Sequence, residues 1–351
     1  MSGLMNGQPS AREEDASLGS ARAGIGLTGA RGLVVCGGEQ HVAWGRELQA
    51  TLALAAPGAQ IDVWTAADDP ASVVEAASKA EAVFAWEPPP GLWALCGPSL
   101  TFISSLGIGT DHLHSGGTLP SGVPVAKLVD PLALLRMGLY CLHAVLGLSL
   151  GSHAIAAQQA AGGWQAGAAD LRRDPPQMTV GVMGLGPMGM SVASALTSSG
   201  FKVLGWSRRH RSSEEAGFPT YDGMDTVPEF LRQLQVLVVI LPSTPETDGL
   251  LGQGLLSLLQ PGAALVNTGR GQVVVEEDLL RLLDSGHLSQ AILDVTAPEP
   301  PTAGSPLWSH PRVTLTPHIA GRIGHDTACQ ALIGNWARVR SGEPLQHQVH
   351  L

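Results

Sequence analysis

An apolar run, Thr179-Val-Gly-Val-Met183, leads directly into Gly184-Leu-Gly186-Pro-Met-Gly189, and Val192, Ala193, Ala195 and Leu196 follow at helical spacing. No other stretch restricts the possible folds so tightly. In a strand that turns into a helix through GxGxxG, the first glycine makes the sharp turn and the second leaves the backbone open to a pyrophosphate. The third lets the helix lie close on the strand. The helix start then offers free N–H groups and a positive dipole end to the phosphates. The pattern predicts a dinucleotide site using Gly184, Leu185, Gly186, Pro187, Met188 and Gly189. The competing reading is a tight turn in a chain rich in alanine and glycine.

The next strand ends in Gly205-Trp206-Ser207-Arg208-Arg209-His210-Arg211. An NAD site often places a carboxylate here to accept from the ribose hydroxyls, whereas arginine accommodates a 2′-phosphate. This chain offers a hydroxyl and three arginines. Ser207, Arg208 and Arg209 are therefore candidates for the ribose end, with NADP preferred and NAD possible, because a guanidinium combines permanent charge with forked donors. A solvated basic turn is the bland alternative.

Strands at 179–182, 202–206, 236–241, 264–267 and 290–295, separated by helical stretches at 188–199, 228–234, 254–259 and 276–285, predict a doubly wound parallel sheet. Short β-branched runs at 33–35, 61–63, 82–86 and 101–105, with a helix around 44–54, predict a second sheet before it. A long helix at 132–159 is expected to join them. The class is α/β, with two flavodoxin/Rossmann-like parallel-sheet domains, and 351 residues suffice for both.

An excess of 30 acidic over 20 basic residues argues against nucleic acid or an anionic membrane as partner. The apolar stretch 137–150 is interrupted by His143 and falls short of the roughly 20 residues of a membrane span. Cys36, Cys96, Cys141 and Cys329 show neither redox nor metal spacing. Asp111-His112-Leu-His114 has no further ligands at sensible spacing, so no metal is assigned. These features predict a reduced, cytoplasmic protein, and residues 1–30, which carry no apolar signal core, are expected to form a flexible tail.

Further motifs carry a resemblance. Asn267-Thr-Gly-Arg270-Gly271, Leu293-Asp294-Val295 with Glu299-Pro300, and Thr316-Pro317-His318-Ile-Ala-Gly321 resemble signature segments of the D-isomer-specific 2-hydroxyacid dehydrogenases. Leu241-Pro242-x-Thr244-Pro245-Glu246-Thr247 and Ser305-Pro-Leu-Trp308 are most similar to the glyoxylate/hydroxypyruvate reductase branch. The resemblance implies a discontinuous substrate domain, residues 31–150 completed by 321–351. The dinucleotide domain, 151–320, would be inserted into it, with an active-site cleft between the two.

The resemblance further implies an NADPH-preferring reductase that passes a hydride to a small 2-keto acid, such as glyoxylate or hydroxypyruvate, to give the D-2-hydroxy acid. Arg270 would pair with the substrate carboxylate, His318 would be the general acid, and Glu299 would hold the far nitrogen of that imidazole. A general acid of this kind predicts a reduction that slows as pH rises through the histidine's titration. Leu241, Pro242, Thr247, Thr268, Arg270, Asp294 and His318 would face the cofactor. Ile108, Gly109, Trp86 and Arg270 would face the substrate, the glycine-rich loop 105–111 presenting backbone N–H groups to the carboxylate.

Each position has a plainer alternative. Arg270 could cap a turn, Glu299 could be an exposed loop carboxylate, and Asp294 could cap the turn after its strand. Ile108 and Gly109 could belong to an ordinary βα turn, and Trp86 to the core. At position 139 relatives often carry Glu, and this chain has Leu. Family members are usually homodimers joined partly through the long helix, and Leu139, Leu142, Leu146 and Leu150 form a compatible apolar stripe. A dinucleotide-sensing, corepressor-like interaction protein on the same fold is the alternative from another class, and formate or phosphite dehydrogenase is a third reading.

Overall fold

The computed structural model describes residues 27–164 and 173–349. The chain divides into two units, one running to Asp130 and resuming at Ile323, the other spanning Pro131–Arg322.

In the first unit, β1 (Arg31–Cys36), β2 (Gln60–Thr65), β3 (Ala82–Trp86), β4 (Phe102–Ser105) and β5 (Val125–Ala126) are parallel, and β13 (Gln348–Val349) pairs antiparallel with β5 at the edge. The order is β13-β5-β4-β3-β1-β2. Helices α1 (Val42–Ala55), α2 (Val73–Lys79), α3 (Leu92–Leu95) and the C-terminal α11 (His325–Arg340) belong to the same unit. Successive strand residues point to opposite faces, so Val34 and Phe84 join Leu48, Leu52 and Trp336 in one core, while Leu33, Val35 and Val83 join Val73 and Leu92 in another. Apolar cover on both faces explains why these strands read as nearly continuous apolar runs.

In the second unit, β6 (Thr179–Met183), β7 (Lys202–Ser207), β8 (Thr220–Asp222), β9 (Val236–Val239), β10 (Ala263–Asn267), β11 (Leu288–Leu293) and β12 (Val313–Leu315) form an all-parallel sheet. Its order is β12-β11-β10-β9-β6-β7-β8. The chain reverses direction across the sheet between β6 and β9, the switch point where such sheets bind ligands. Its helices are α4 (Pro131–Leu150), α5 (Ser152–Ala160), α6 (Pro187–Ser198), α7 (Ser213–Ala216), α8 (Val227–Leu231), α9 (Gln253–Leu256) and α10 (Glu276–Asp284). In α10, Glu276, Glu277 and Asp278 oppose the positive helix end while Leu279, Leu282 and Leu283 are buried.

Three expectations need correction. The helix expected at 132–159 is broken at Gly151, which takes φ 68°, a left-handed conformation that ends α4 before α5 begins. The boundary expected at 150/151 lies at Asp130/Pro131. Helix α4 groups with the second unit because Met137, Cys141, Ala144 and Val145 pack among Val180, Val182, Val192 and Leu196. Ser191 of α6 also donates to the Leu134 carbonyl at 2.7 Å. Finally, residues 27–30, expected to belong to a flexible tail, are part of the first unit. Leu27 and Ala30 are fully buried in the first unit's core, and residues 1–26 lie outside the described residues.

By length and composition α4 could cross a membrane. Its Ala133, Met137, Cys141, Ala144 and Val145 face is buried, and Leu135, Leu139 and Leu150 are exposed.

Candidate active site

The Gly184–Gly189 turn sits at the carboxyl end of β6, against the end of β9. Gly184 takes φ 111°, and a Cβ there would lie 2.5 Å from the Ile240 carbonyl oxygen. A Cβ at Gly189 would overlap the Gly184 carbonyl oxygen, so the third glycine is what allows α6 to start so close to the strand. At Gly186 a Cβ would meet nothing within 4 Å. The cradle is thus tight at its first and third glycines and open at its second, with Pro187 opening α6 beside it. This geometry fits a pyrophosphate approaching Gly186, with the α6 N-terminus beneath it.

At the end of β7 the Ser207 hydroxyl donates to the Arg209 carbonyl at 2.6 Å and shapes the turn. The Arg208 guanidinium lies 3.9 Å from the Glu246 carboxylate, and both side chains are exposed. A hydrogen bond from Thr244 is the main influence holding the Glu246 carboxyl below the usual range, ahead of the charge on Arg208. Thr247 closes the 242–247 turn, its hydroxyl accepting from the Thr244 N–H and donating to the Pro242 carbonyl.

Arg270, Glu299 and His318 lie on the loops after β10, β11 and β12, three neighbouring strands. The loop bearing Arg270 is tied by Asn267, which is buried, donates to the Arg270 carbonyl and accepts from the Gly269 N–H. Arg270 Nη1 donates to the Gly269 carbonyl at 3.0 Å. A Cβ on Gly271 would overlap the Thr296 carbonyl group, so the Arg270 loop lies directly on the loop after β11. The Thr268 hydroxyl is buried, 3.4 Å from the Val239 carbonyl and 3.7 Å from Cys141 Sγ. Burial pushes that thiol up to about 12.

His318 Nδ1 donates to Glu299 Oε1 at 2.8 Å, and both side chains are about a quarter exposed. The pairing fixes the ring with Nδ1–H toward the carboxylate. The His318 backbone takes φ 51°, unusual for a side-chain-bearing residue. Its N–H donates to the Asp294 carbonyl. The Asp294 carboxylate, 2% exposed, accepts from Thr316 Oγ1, Ile319 N and Ala320 N. Three of its roughly four acceptor sites are thus used on the 316–320 turn. Asp294 thus caps the turn that follows its strand.

The first unit holds the other candidates. Trp86 stacks on His112 with ring centroids 4.1 Å apart, and His41 meets it edge-on at 5.4 Å. Gly107 passes beneath the indole, where a Cβ would lie 2.5 Å from Trp86 Cζ3. Ser105 Oγ donates to the Gly109 carbonyl at 2.6 Å and accepts from the Gly107 N–H. With its single proton committed to Gly109, it accepts from His112 Nε2 at 3.1 Å. Ile108 and Gly109 are therefore held in a loop pinned at both ends and are partly exposed.

Sequence reasoning assigned no role to Asn267, Ser105 or Tyr140, nor to Thr316. The sequence signal for Ser105 and Asn267 is a polar residue at the carboxyl end of a buried strand, and for Thr316 its place in the motif that holds His318; Tyr140, in the middle of α4, carries no such signal.

Comparison with known proteins follows the same lines. The model of the D-isomer specific 2-hydroxyacid dehydrogenase NAD binding domain matches residues 142–320. Glyoxylate/hydroxypyruvate reductase A of Serratia proteamaculans is 36% identical over 295 residues, 82% of this chain and 89% of that protein. The protein of the same name from Klebsiella pneumoniae strain 342 is 35% identical over 87% of this chain and 94% of its own. Among solved structures, a D-isomer specific 2-hydroxyacid dehydrogenase from Xanthobacter autotrophicus, in complex with NADPH and MES, has a TM-score of 0.79 at 34% identity, covering 92% of this chain and 98% of that one. The NADPH-dependent glyoxylate/hydroxypyruvate reductase of Sinorhizobium meliloti, in complex with NADP and sulfate, has a TM-score of 0.79 at 32% identity, covering 91% and 98%. The chain belongs to the D-isomer-specific 2-hydroxyacid dehydrogenases.

Proposed function

We propose that this protein is an NADPH-preferring reductase of glyoxylate, hydroxypyruvate or a similar small 2-keto acid. The observation that carries the reading is the His318–Glu299 pair at 2.8 Å, joining the loops after β12 and β11, with Arg270 on the loop after the neighbouring β10, in the unit that holds the glycine cradle. A bound NADPH supplies the hydride. Arg270 receives the substrate carboxylate through its fork of donors and draws charge from the adjacent carbonyl. His318 gives a proton from Nε2 to the ketone oxygen while Glu299 keeps Nδ1 protonated, and the product is the D-2-hydroxy acid. Trp86 and the N–H groups of Ile108 and Gly109 are proposed to recognise the substrate.

The decisive assay follows nicotinamide absorbance with glyoxylate and hydroxypyruvate, each with NADPH and with NADH. Turnover of either keto acid with NADPH is expected. Tight NADPH binding without turnover of any keto acid would favour a dinucleotide-sensing role instead.

Arg208 and Arg209 are proposed to hold the 2′-phosphate. Their exposure and the weak pairing of Arg208 with Glu246 leave both free to swing onto it. Arg208→Ala combined with Arg209→Ala should raise KM for NADPH about tenfold or more, the scale of a charge-assisted hydrogen bond, and leave KM for NADH within about twofold. An unaltered NADPH/NADH ratio would refute the clamp.

The protein is also proposed to be a cytoplasmic homodimer. Leu135 and Leu139 are 53% exposed and Leu150 43%, and with the half-buried Leu142 and Leu146 they form one apolar face of α4. A contiguous stripe of this kind marks an association surface. Light scattering should give twice the chain mass for the unaltered protein and the single mass for Leu135→Lys with Leu139→Lys. A dimer that survives both charges would place the interface elsewhere.

A further inference from the structure

We propose that Tyr140, on α4, is a positioning residue for His318, acting through a hydrogen-bond relay by way of Thr316 and Asp294. The inference rests on the reductase reading only for its kinetic consequence.

Tyr140 Oη lies 2.6 Å from Thr316 Oγ1, and Thr316 Oγ1 donates to Asp294 Oδ1 at 2.6 Å. A threonine hydroxyl has one proton. Because that proton goes to the carboxylate, Tyr140 must be the donor in the first link. Burial pushes the phenol up to about 12, so it remains a donor at every working pH. The carboxylate at the end of the relay accepts from Ile319 N and Ala320 N at 2.9 Å each, and the Asp294 carbonyl accepts the His318 N–H at 3.0 Å.

Those bonds bracket a histidine whose backbone, at φ 51°, lies in a region costly for a residue with a side chain. Such a conformation persists only where its surroundings over-determine it, and the relay is what fills that role around His318. The phenol makes the pull directional. By donating to Thr316 it leaves the threonine proton only one good acceptor, and so holds the Asp294 carboxylate in the orientation that meets both backbone N–H groups. The imidazole, aimed by this turn, meets Glu299 at Nδ1.

The test is a set of variants in the full-length protein, read by steady-state kinetics with glyoxylate and NADPH and by ¹⁵N NMR of the His318 ring, assigned with His318→Ala. Tyr140→Phe keeps the ring and removes the donor. It should lower kcat about three- to tenfold, the scale of one buried hydrogen bond, with KM for both substrates within about twofold. The Nδ1–H signal of His318 should broaden or shift as the ring loses its fixed contact with Glu299.

Thr316→Val should cost at least as much, Thr316→Ser should restore activity to near the starting level, and Tyr140→Phe should add nothing in the Thr316→Val background. Independent, multiplying losses in that double variant would overturn the relay. So would unchanged kcat with an unmoved His318 signal in Tyr140→Phe, or a lowered melting temperature with that signal still unmoved, which would make the phenol a packing group only. If the unaltered protein turned over no keto acid while Tyr140→Phe still displaced the His318 signal, the reductase reading would fall and the positioning role would stand.

Discussion

His318→Ala is expected to lower kcat for glyoxylate reduction by about two to four orders of magnitude, the usual contribution of a positioned general acid, while NADPH binds as before. The imidazole is held on one side by Glu299 at 2.8 Å, and its backbone is fixed by the turn that Asp294 closes. Its removal takes away the proton donor and leaves the glycine cradle after β6 untouched. NADPH titration by fluorescence separates the two effects. Activity within twofold of the unaltered protein would end the assignment of His318 as the acid.

The second large effect is expected at Arg270. Two charge-assisted hydrogen bonds to a substrate carboxylate are worth about 1.5–3 kcal/mol each, so Arg270→Ala should reduce kcat/KM by a factor on the order of 10² to 10⁴, through both a higher KM and a lower kcat. Arg270→Lys keeps a charge without the planar fork and should fall between the two. The plainer role, a turn cap through the bond from Nη1 to the Gly269 carbonyl, predicts a lower melting temperature with kinetics nearly intact. That pattern would remove Arg270 from the reaction.

The legibility of this protein in its sequence varies with the length scale of each signal. Long apolar runs were readable because both faces of both sheets are covered, so Val236–Val239 is buried at every position and has the look of a parallel strand. The GxGxxG turn was readable because its first and third glycines are each required by a neighbouring backbone atom. Three-residue strands such as β8 and β12 carry too few positions to show a period, and the two-residue β5 and β13 carry none.

The continuous helix expected at 132–159 failed on Gly151, because apolar spacing continues past a glycine that ends the helix by its backbone angle. Among site residues, the His318–Glu299 contact was inferred from motif resemblance across 19 positions, and no local rule of spacing would have found it. The turn-capping bonds of Asp294 are hidden from local patterns for the same reason: the N–H groups they reach lie more than twenty residues away.

The contact between Gly184 and Gly189 has a thermodynamic consequence. A loop whose two ends already touch through backbone atoms alone has its shape before any dinucleotide arrives. Association there surrenders less chain entropy than the ordering of a slack loop would, so less of the affinity gained from phosphate and helix N-terminus is offset.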